Sequence, residues 1–433
     1  MPGSITLLPF DRATLLRELG RNGVGRRVEP AVEYLLDYLR QLGASAFIHE
    51  SPYVDRHYLE DYAEYYSRSF NSPAAICSRL HFFERLSRDE LDAQLAAAYD
   101  GPEAKAAAES HLRERYLGFV VKRPLDGARL GRTVLRTYPI SPGRRHYEAV
   151  RDYRVNIVGL DLSISGLAYQ QQDRGAAVCA STALWSALQR VARVAGHRTP
   201  TPSDITKAAG SPFPASHGLT NVQMAAAIAG LGYAADQFAP AENRLLFRAK
   251  LVACLKSRLP VILLLTKEVA TGAGRTTVGH AVTVTGFSDA GAAVDVPAAL
   301  ANVPPLPMTS ASVEVLYVHD DNLGSHAHFE LLDSTEKDEA GNLKLDLLRG
   351  RSANNPAWWT PDRWKIEAAL VPKPKKLRLP VEDLFLSIIQ LRTLLRRILI
   401  GANLVYDVRF AAGTDVRAET FQAPLDRAAM RQF

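Results

Sequence analysis

The chain has 433 residues, more than one hydrophobic core usually holds, so two or three structural units are expected. A hydrophobic fraction of 47% and a charged fraction of 23% are those of an ordinary globular protein and exclude a fibrous or wholly disordered chain. The net charge of +6 is small for this length and its basic residues are dispersed, so charge does not predict nucleic-acid binding.

The cysteine content and the apolar runs predict a cytoplasmic protein. Three cysteines (Cys77, Cys179 and Cys254) are too few and too odd in number for a disulfide framework, and none has C-x-x-C spacing. Residues 1–10 lack the pattern of a secretory signal, and the longest apolar run, residues 260–265, is too short to span a bilayer. We therefore expect a reducing compartment and no membrane association.

The first third of the chain predicts a smaller α+β unit. Apolar residues at helical spacing stop at Gly43, a plausible C-cap, and short β-like runs follow a charged, alanine-rich stretch. A segment rich in Pro, Gly and Arg at residues 139–145 predicts the end of this unit, which we place at residues 1–145. The predicted elements are helices over residues 28–42, 58–70 and 88–116, and strands over residues 45–49, 117–121 and 130–138.

The remainder predicts helices first and a sheet afterwards, with residues 146–372 as the central domain and residues 373–433 as a C-terminal extension. A Pro-rich stretch, residues 288–310, is predicted as a long loop between two strands. Residues 373–378 form the densest basic run, which is typical of a solvated connector. The predicted elements are helices over residues 176–194, 221–230 and 381–399, and strands over residues 155–164, 261–265, 280–286, 313–319, 364–371 and 405–410.

Cys179 is the candidate nucleophile. A thiol attacks only as its thiolate, which a helix N-terminus favours, and Cys179 lies in the first turn of a predicted helix. Small residues flank it, Gly175, Ala176 and Ala177 before and Ala180 and Ser181 after, which would leave the sulfur reachable by a substrate backbone. A lone Cys followed by Ala is otherwise typical of a buried small hydrophobe, so the assignment depends on a partner base.

His280 and the acidic pair Asp320–Asp321 supply that base and its orienting group. His280 begins an apolar strand, and the next β-run ends in Asp320, Asp321 and Asn322. A carboxylate beside the imidazole holds the reactive tautomer and stabilises the imidazolium. Strand alternation leaves open which aspartate faces His280.

A glutamine before the cysteine is the candidate donor to an oxyanion. Acyl transfer needs hydrogen-bond donors for the developing negative charge, usually the nucleophile's own amide and a side-chain amide. Gln171 and Gln172 precede Cys179 by eight and seven residues, and either can fill this role.

The order of a glutamine, a cysteine at a helix start, Gly-His-Ala-Val on a strand and an Asp after the next strand resembles the papain-like superfamily, particularly its bacterial branch similar to bacteriocin-leader (double-glycine) peptidases. The resemblance covers residues 155–372 and implies an α/β (α+β) fold in which the Cys-bearing helix packs on an antiparallel sheet. Ala180 stands where relatives have Gly or Trp, and the Gln-to-Cys spacing is longer than in papain.

The resemblance implies a cysteine peptidase that cleaves a peptide or isopeptide bond through a thioester acyl-enzyme. Cys179 attacks, His280 moves the proton, Asp320 or Asp321 orients the imidazole, and Gln172 with the Cys179 amide holds the oxyanion. The same groups support a deamidase or a transglutaminase-type acyl transferase, and the fold is also compatible with a catalytically inactive binding module.

We expect a protein or peptide substrate and neither nucleic acid nor membrane as a partner. The sequence contains no phosphate-binding glycine loop, so no cofactor is predicted. His319, His326 and His328 cluster around the acidic turn, but a metal site needs three well-directed ligands and we predict none.

Overall fold

The computed structural model describes residues 4–20, 28–70, 72–139, 145–173, 178–211, 218–240, 243–272, 274–297, 304–337, 343–349, 363–398 and 404–411. The helices are α1 (Arg12–Glu18), α2 (Pro30–Gln41), α3 (Arg56–Glu64), α4 (Arg88–Ala97), α5 (Pro102–Arg115), α6 (Cys179–Ala195), α7 (Pro202–Ala208), α8 (Asn221–Gly230), α9 (Arg244–Lys256) and α10 (Val381–Ile398). The strands are β1 (Ser4–Pro9), β2 (Ala44–Tyr53), β3 (Cys77–Glu84), β4 (Tyr116–Lys122), β5 (Leu130–Leu135), β6 (Arg145–His146), β7 (Arg151–Ile157), β8 (Leu160–Gly166), β9 (Tyr233–Phe238), β10 (Val261–Thr271), β11 (Gly274–Asp289), β12 (Val294–Val296), β13 (Leu306–Met308), β14 (Val313–Asp320), β15 (Gly324–Lys337), β16 (Leu343–Arg349) and β17 (Arg363–Pro374).

The fold is mixed α/β with antiparallel sheets, and it contains a six-stranded barrel. The N-terminal part forms an antiparallel sheet in the order β1-β2-β3-β4-β5. Further along the chain, β10-β11-β14-β15-β16-β17 pair in sequence, and β17 pairs back with β10 to close the barrel. Closure removes free strand edges, which otherwise invite pairing with other chains. The barrel was not predicted, because the pairing of β10 with β17 joins strands about a hundred residues apart.

Helix α2 packs against the barrel beside the end of β14. Leu35 of α2 and Val318 of β14 are both buried in one contiguous apolar cluster. The hydroxyl of Tyr34 donates to the carbonyl of Ser325, 3.1 Å away. A Cβ atom at Gly324 would lie 2.0 Å from Cδ1 of Tyr34, so only glycine fits there. The N-terminal part of the chain therefore supports the turn that follows β14.

Several predicted elements are present in the structure, one with its predicted bounds and others divided in two. The helix over residues 221–230 is confirmed, with the Thr220 side chain accepting from the amide of Gln223. The predicted helix over residues 88–116 is two helices, because Gly101 has a φ of 138° and Pro102 starts the second. The predicted strand over residues 155–164 is the hairpin β7–β8, which turns at Val158 and Gly159 with φ of 46° and 81°.

Other predictions were wrong or incomplete. The stretch at residues 288–310 contains the hairpin β12–β13 instead of being loop throughout. Residues 405–410 do not form a strand, since Tyr406 makes only an isolated bridge to Met308. Sequence periodicity also missed β3, α7, α9, β15 and β16. The predicted unit boundary at residues 139–145 lies mostly outside the described residues.

Within the described part of the chain, no helix is both long enough and apolar enough to cross a bilayer.

Candidate functional site

Helix α6 begins at Cys179. Its apolar positions recur at helical spacing, one face is buried, and Gly196 ends the helix in the left-handed conformation with a φ of 72°. The N-cap residue, Val178, provides no side-chain hydrogen bond, and the first intrahelical bond runs from the Thr182 amide to the Val178 carbonyl. The backbone amides in the first turn of α6, which contains the thiol, therefore have no intrahelical acceptor.

His280 lies on β11, opposite Leu265 of β10, and its side chain is buried. Its Nε2 atom is 3.2 Å from Oδ1 of Asp320 and 3.6 Å from Oδ1 of Asp321. The indole ring of Trp364, from β17, covers the imidazole with ring centroids 5.2 Å apart. Because Nε2 faces the carboxylates, Nδ1 is the nitrogen left for Cys179.

The two aspartates occupy the end of β14 and the turn that follows it. Oδ1 of Asp320 also accepts from the amide of Asn322 at 3.0 Å, and the Asp320 carbonyl accepts from the amide of Leu323 at 2.9 Å. Asp321 is 3% exposed, and its Oδ2 has no hydrogen-bond partner among the described residues. Asp320 is therefore the closer partner of His280, and Asp321 is a second buried carboxylate beside it.

The charges at the site are strongly coupled. Burial by itself lowers the pKa of His280, but the charge of Asp320, hydrogen bonds from Asp320 and Cys179, and Asp321 together hold that pKa well above its ordinary value. Burial raises the pKa of Asp321 to about 7, against the opposing effect of His280. At neutral pH the site therefore holds His280 as an imidazolium beside Cys179 and Asp320, with Asp321 only partly ionised.

A hydrogen bond between helix α6 and strand β11 holds Cys179 and His280 near each other. The hydroxyl of Thr283, three residues after His280, donates to the carbonyl of Ala183 at 2.7 Å. Ala183 lies one helical turn after Cys179 and is buried. His280 also has a hydrogen-bonding interaction with Cys179, so the thiol and the imidazole are brought together.

The two predicted oxyanion glutamines are engaged elsewhere. The Gln171 side chain accepts from the Leu130 amide and donates to the Gly127 carbonyl at 3.0 Å, so it fastens the segment before α6 to β5. Nε2 of Gln172 donates to Oδ1 of Asn322 at 2.6 Å, so Gln172 braces the acidic turn. Neither amide is free to move to a substrate without giving up these bonds.

Gln170 is the glutamine that sequence reasoning missed. It is 3% exposed, and its Nε2 has no hydrogen-bond partner among the described residues. Its neighbour Tyr169 donates to the carbonyl of Asp321 at 3.4 Å, which places this segment beside the acidic turn. A buried amide donor without an acceptor is costly unless a ligand satisfies it. The signal in the sequence was the run of three glutamines, of which only the last two were considered.

The structure also gives the residues that can hold a metal ion. Ligand atoms of His280, Asp320 and Asp321 lie within 4.8 Å of one another. Of the other histidines near the acidic turn, His319 has both ring nitrogens engaged: Nε2 bonds the Leu167 carbonyl at 2.9 Å and Nδ1 accepts from the His326 amide at 3.1 Å. The candidate ligands are thus the same three groups that bind one another.

Two contacts at the site were not predicted from sequence. Trp364 was interpreted only as the start of a strand, and Tyr34 only as part of an amphipathic helix. Both act on the site through packing, since Trp364 covers His280 and Tyr34 lies against Gly324. Neither has a sequence motif that marks this role.

A scan against protein-family models finds no matching family, and a search of curated proteins finds no matching relative.

Proposed function

We propose that this protein is a papain-like cysteine hydrolase that cleaves an amide bond, with Cys179 as nucleophile and His280 as general base and acid. The observation that carries the proposal is the buried imidazole of His280, which lies between Cys179 at a helix start and the carboxylate of Asp320, 3.2 Å from Nε2. The Cys-bearing helix on an antiparallel barrel supports the same assignment.

In the acylation step, the sulfur of Cys179, whose proton has already passed to Nδ1 of His280, attacks the carbonyl carbon of the substrate as a thiolate. Asp320 stabilises the resulting imidazolium through its carboxylate oxygen, 3.2 Å from Nε2. The imidazolium then gives its proton to the leaving amine as the C–N bond breaks, and a thioester remains on Cys179.

In the deacylation step, His280 removes a proton from water, and the hydroxide formed attacks the thioester. The C–S bond breaks, the carboxylic acid product leaves, and the thiolate of Cys179 is restored beside the imidazolium of His280. Trp364 and the buried carboxylates keep bulk water away from the ion pair, which strengthens it.

The negative oxygen of the tetrahedral intermediate needs donors that already point at it. The backbone amides at the uncapped start of α6 are one source. We propose Gln170 as the side-chain donor in place of Gln171 or Gln172, because its buried Nε2 has no partner among the described residues while the other two amides are engaged.

The same groups support deamidation or acyl transfer to an amine, and the second half-reaction alone decides between them. In hydrolysis the acceptor is water, and in transfer it is a substrate amine. We propose hydrolysis of a peptide or isopeptide bond as the principal reaction.

The test compares alkylation of the three cysteines by iodoacetamide at pH 6 to 7, read by peptide mass spectrometry. Cys77 and Cys254 are internal controls, because burial raises the pKa of Cys77 to about 12 and that of Cys254 further still. We expect Cys179 to react fast, the other two to stay unlabelled, and His280→Ala to slow the reaction of Cys179 on the order of 100-fold.

His111→Ala is the matched control, since it removes a histidine on α5 far along the chain from α6, and we expect it to leave the rate unchanged. Prior treatment with a chelator should also leave it unchanged. A Cys179 rate that equals that of the buried cysteines, or that is insensitive to His280, would favour the inactive binding module. A rate that rises only after chelation would favour a metal at His280, Asp320 and Asp321.

A further inference from the structure

A buried arginine binds the chain segment that leads to Cys179. Arg123 directly follows β4 and is 3% exposed. Its Nη2 donates to the carbonyl of Gln171 at 2.7 Å, and its Nη1 donates to Oδ2 of Asp173 at 3.3 Å. Both partners lie between β8 and α6. Arg123 therefore fastens the backbone and a side chain of this segment shortly before the helix that begins at Cys179.

The same guanidinium is held by the turn between β4 and β5. Nε of Arg123 donates to the carbonyl of Ala128 at 3.1 Å, and Nη2 also donates to the carbonyl of Leu130 at 3.5 Å. The backbone amide of Arg123 donates to the carbonyl of Arg129 at 2.8 Å, which closes the turn. One side chain thus joins the N-terminal sheet to the segment before α6.

The sheet leaves space for this side chain at Gly131. A Cβ atom there would lie 2.7 Å from Cγ of Arg123 and 3.0 Å from the carbonyl oxygen of Val121. Both contacts are too short for an ordinary packing arrangement, so a larger residue at 131 would displace Arg123. The position of the guanidinium is therefore defined by packing as well as by hydrogen bonds.

The ion pair of Arg123 and Asp173 specifies geometry more than it stabilises the fold. The two side chains are 3% and 5% exposed. Removing two charges from water costs about as much as their attraction returns, so such a pair adds little net stability. A guanidinium does, however, hold several acceptors in a fixed planar arrangement. This property suits a residue that sets the position of a backbone segment.

Gln170 lies between two fastened residues. On one side, Tyr169 and Thr133 of β5 exchange backbone hydrogen bonds of 2.7 and 2.8 Å. On the other side, the carbonyl of Gln171 accepts from Arg123. Nε2 of Gln170 is buried and has no hydrogen-bond partner among the described residues. The place of this amide therefore depends on the bonds that its neighbours make.

We propose that Arg123 is a positioning residue for the oxyanion site, because it fixes the backbone from which Gln170 donates to the substrate oxygen. This role rests on the proposed function, in which Gln170 stabilises the negative oxygen of the intermediate. Arg123 is too buried to contact the substrate itself. A displacement of about 1 Å at a positioned group can lower a rate on the order of 100-fold, so a residue that never contacts the reacting atoms can still control it.

The test compares two reactions of Cys179, only one of which forms an oxyanion. With p-nitrophenyl acetate, the thiolate adds to the ester carbonyl, a negative oxygen forms, and the C–O bond then breaks to release coloured p-nitrophenolate. With iodoacetamide, the sulfur displaces iodide at a saturated carbon and no oxyanion forms. Both rates are measured on the full chain, and Cys179→Ala gives the background.

Arg123→Met should slow the acylation by p-nitrophenyl acetate about 10- to 100-fold. Its alkylation by iodoacetamide should change less than about twofold, because the hydrogen bond from Thr283 to Ala183 holds helix α6 on β11 without Arg123. Arg123→Lys keeps the positive charge beside Asp173 with fewer donors, so it should lose between about threefold and tenfold in acylation. Thermal unfolding verifies that each variant is folded, and Arg123→Lys replaces Arg123→Met in every comparison if the latter does not fold.

A double variant distinguishes positioning from a general loss of stability. In Gln170→Ala with Arg123→Met, the acylation rate should lie within about threefold of that in Gln170→Ala alone, because the donor that Arg123 positions is already gone. Independent effects of the two changes would multiply instead.

The matched control is Arg79→Met, which removes an arginine that is 8% exposed from β3 of the same sheet. Arg79 pairs with Glu50 of β2 at 2.8 Å and donates to the carbonyl of Asn156 of β7 at 2.8 Å, so these partners lie outside the segment before α6. We expect this control to change both rates less than about threefold.

Three results would each overturn the role of Arg123 while leaving the proposed function in place. They are an equal slowing of both reactions in Arg123→Met, effects of Arg123→Met and Gln170→Ala that multiply, and a loss of acylation in Arg79→Met as large as that in Arg123→Met. A wild-type Cys179 that reacts slowly with both reagents would overturn the proposed function, and the role of Arg123 with it.

Discussion

Removing the charge of Asp320 should reduce the reactivity of Cys179 far more than removing that of Asp321. At an effective dielectric constant near 20, a unit charge 3.2 Å away interacts with the imidazolium by about 5 kcal/mol, and one at 3.6 Å by about 4.6 kcal/mol. The distances alone therefore predict similar effects. The ionisation of the two carboxyl groups separates them.

Burial raises the pKa of Asp321 to about 7, so at pH 6 about one molecule in ten carries its charge. Its mean contribution is then about 0.5 kcal/mol, roughly a twofold change in rate. For Asp320, breaking one partner of a buried pair typically costs about 3 kcal/mol, which is on the order of 100-fold.

The assay is the second-order rate of Cys179 alkylation at pH 6 in Asp320→Asn and Asp321→Asn, two changes of equal size in adjacent residues. Asn at 320 still accepts the amide of Asn322, so the turn is kept while the charge is lost. Because Asp320 raises the pKa of Asp321, Asp320→Asn also leaves Asp321 more ionised, and the double variant should therefore be slower than Asp320→Asn. A loss in Asp321→Asn equal to or larger than that in Asp320→Asn would refute the assignment of Asp320 as the orienting carboxylate.

Three further predictions concern support of the site, the oxyanion and pH. Gly324→Ala should destabilise the protein by about 1 to 3 kcal/mol in urea unfolding and slow the alkylation of Cys179, because its Cβ would lie 2.0 Å from Cδ1 of Tyr34. Gly279→Ala, which has room for a Cβ atom, is the control and should change neither quantity. An unchanged stability in Gly324→Ala would contradict the packing described. Gln170→Ala should lower the kcat of peptide hydrolysis by about 10²- to 10³-fold while the alkylation of Cys179 stays fast, and Gln172→Ala should lower kcat less. A larger loss of kcat in Gln172→Ala than in Gln170→Ala would return the oxyanion role to Gln172. The free energy of unfolding should fall as the pH drops below 6.5, by up to about 1.4 kcal/mol per pH unit for each buried histidine that protonates only on unfolding. A constant free energy of unfolding from pH 7 to pH 5 would show that these side chains are not buried as described. Burial lowers the pKa of these side chains as follows: His57 to about 3, His81 to about 4 and His319 to about 3.

The sign of the pH effect follows from the direction of each pKa. A histidine whose folded pKa is lowered binds its proton only after unfolding, so protonation between pH 6.5 and the folded pKa favours the unfolded chain. His280 acts in the opposite sense. Its raised pKa stabilises the folded state fully below pH 6.5, and that contribution is lost as the pH rises through the folded value. Asp61 and Asp321, with pKa values raised to about 8 and about 7, also gain stability on acidification. Six histidines have lowered pKa values and outnumber these groups, so the net slope is a loss of stability on acidification.

The sequence alone determined the local features of this protein. The start of α6 at Cys179 follows from apolar spacing and small residues, and the strand around His280 and the acidic end of β14 follow from apolar runs that stop at polar residues. These signals are contained within windows of ten to twenty residues. Because these signals are local, the sequence predicted the nucleophile, the base and the carboxylates in their order along the chain.

Tertiary structure decided everything that depends on residues far apart in the chain. The barrel closes through β10 and β17, and Asp320 lies closer than Asp321 to His280 at the turn after β14. Among the described residues, Gln171 bonds to β5 while Nε2 of Gln170 has no hydrogen-bond partner. Hydrogen-bond competition and long-range packing set these outcomes, and neither has a local periodicity from which it can be predicted.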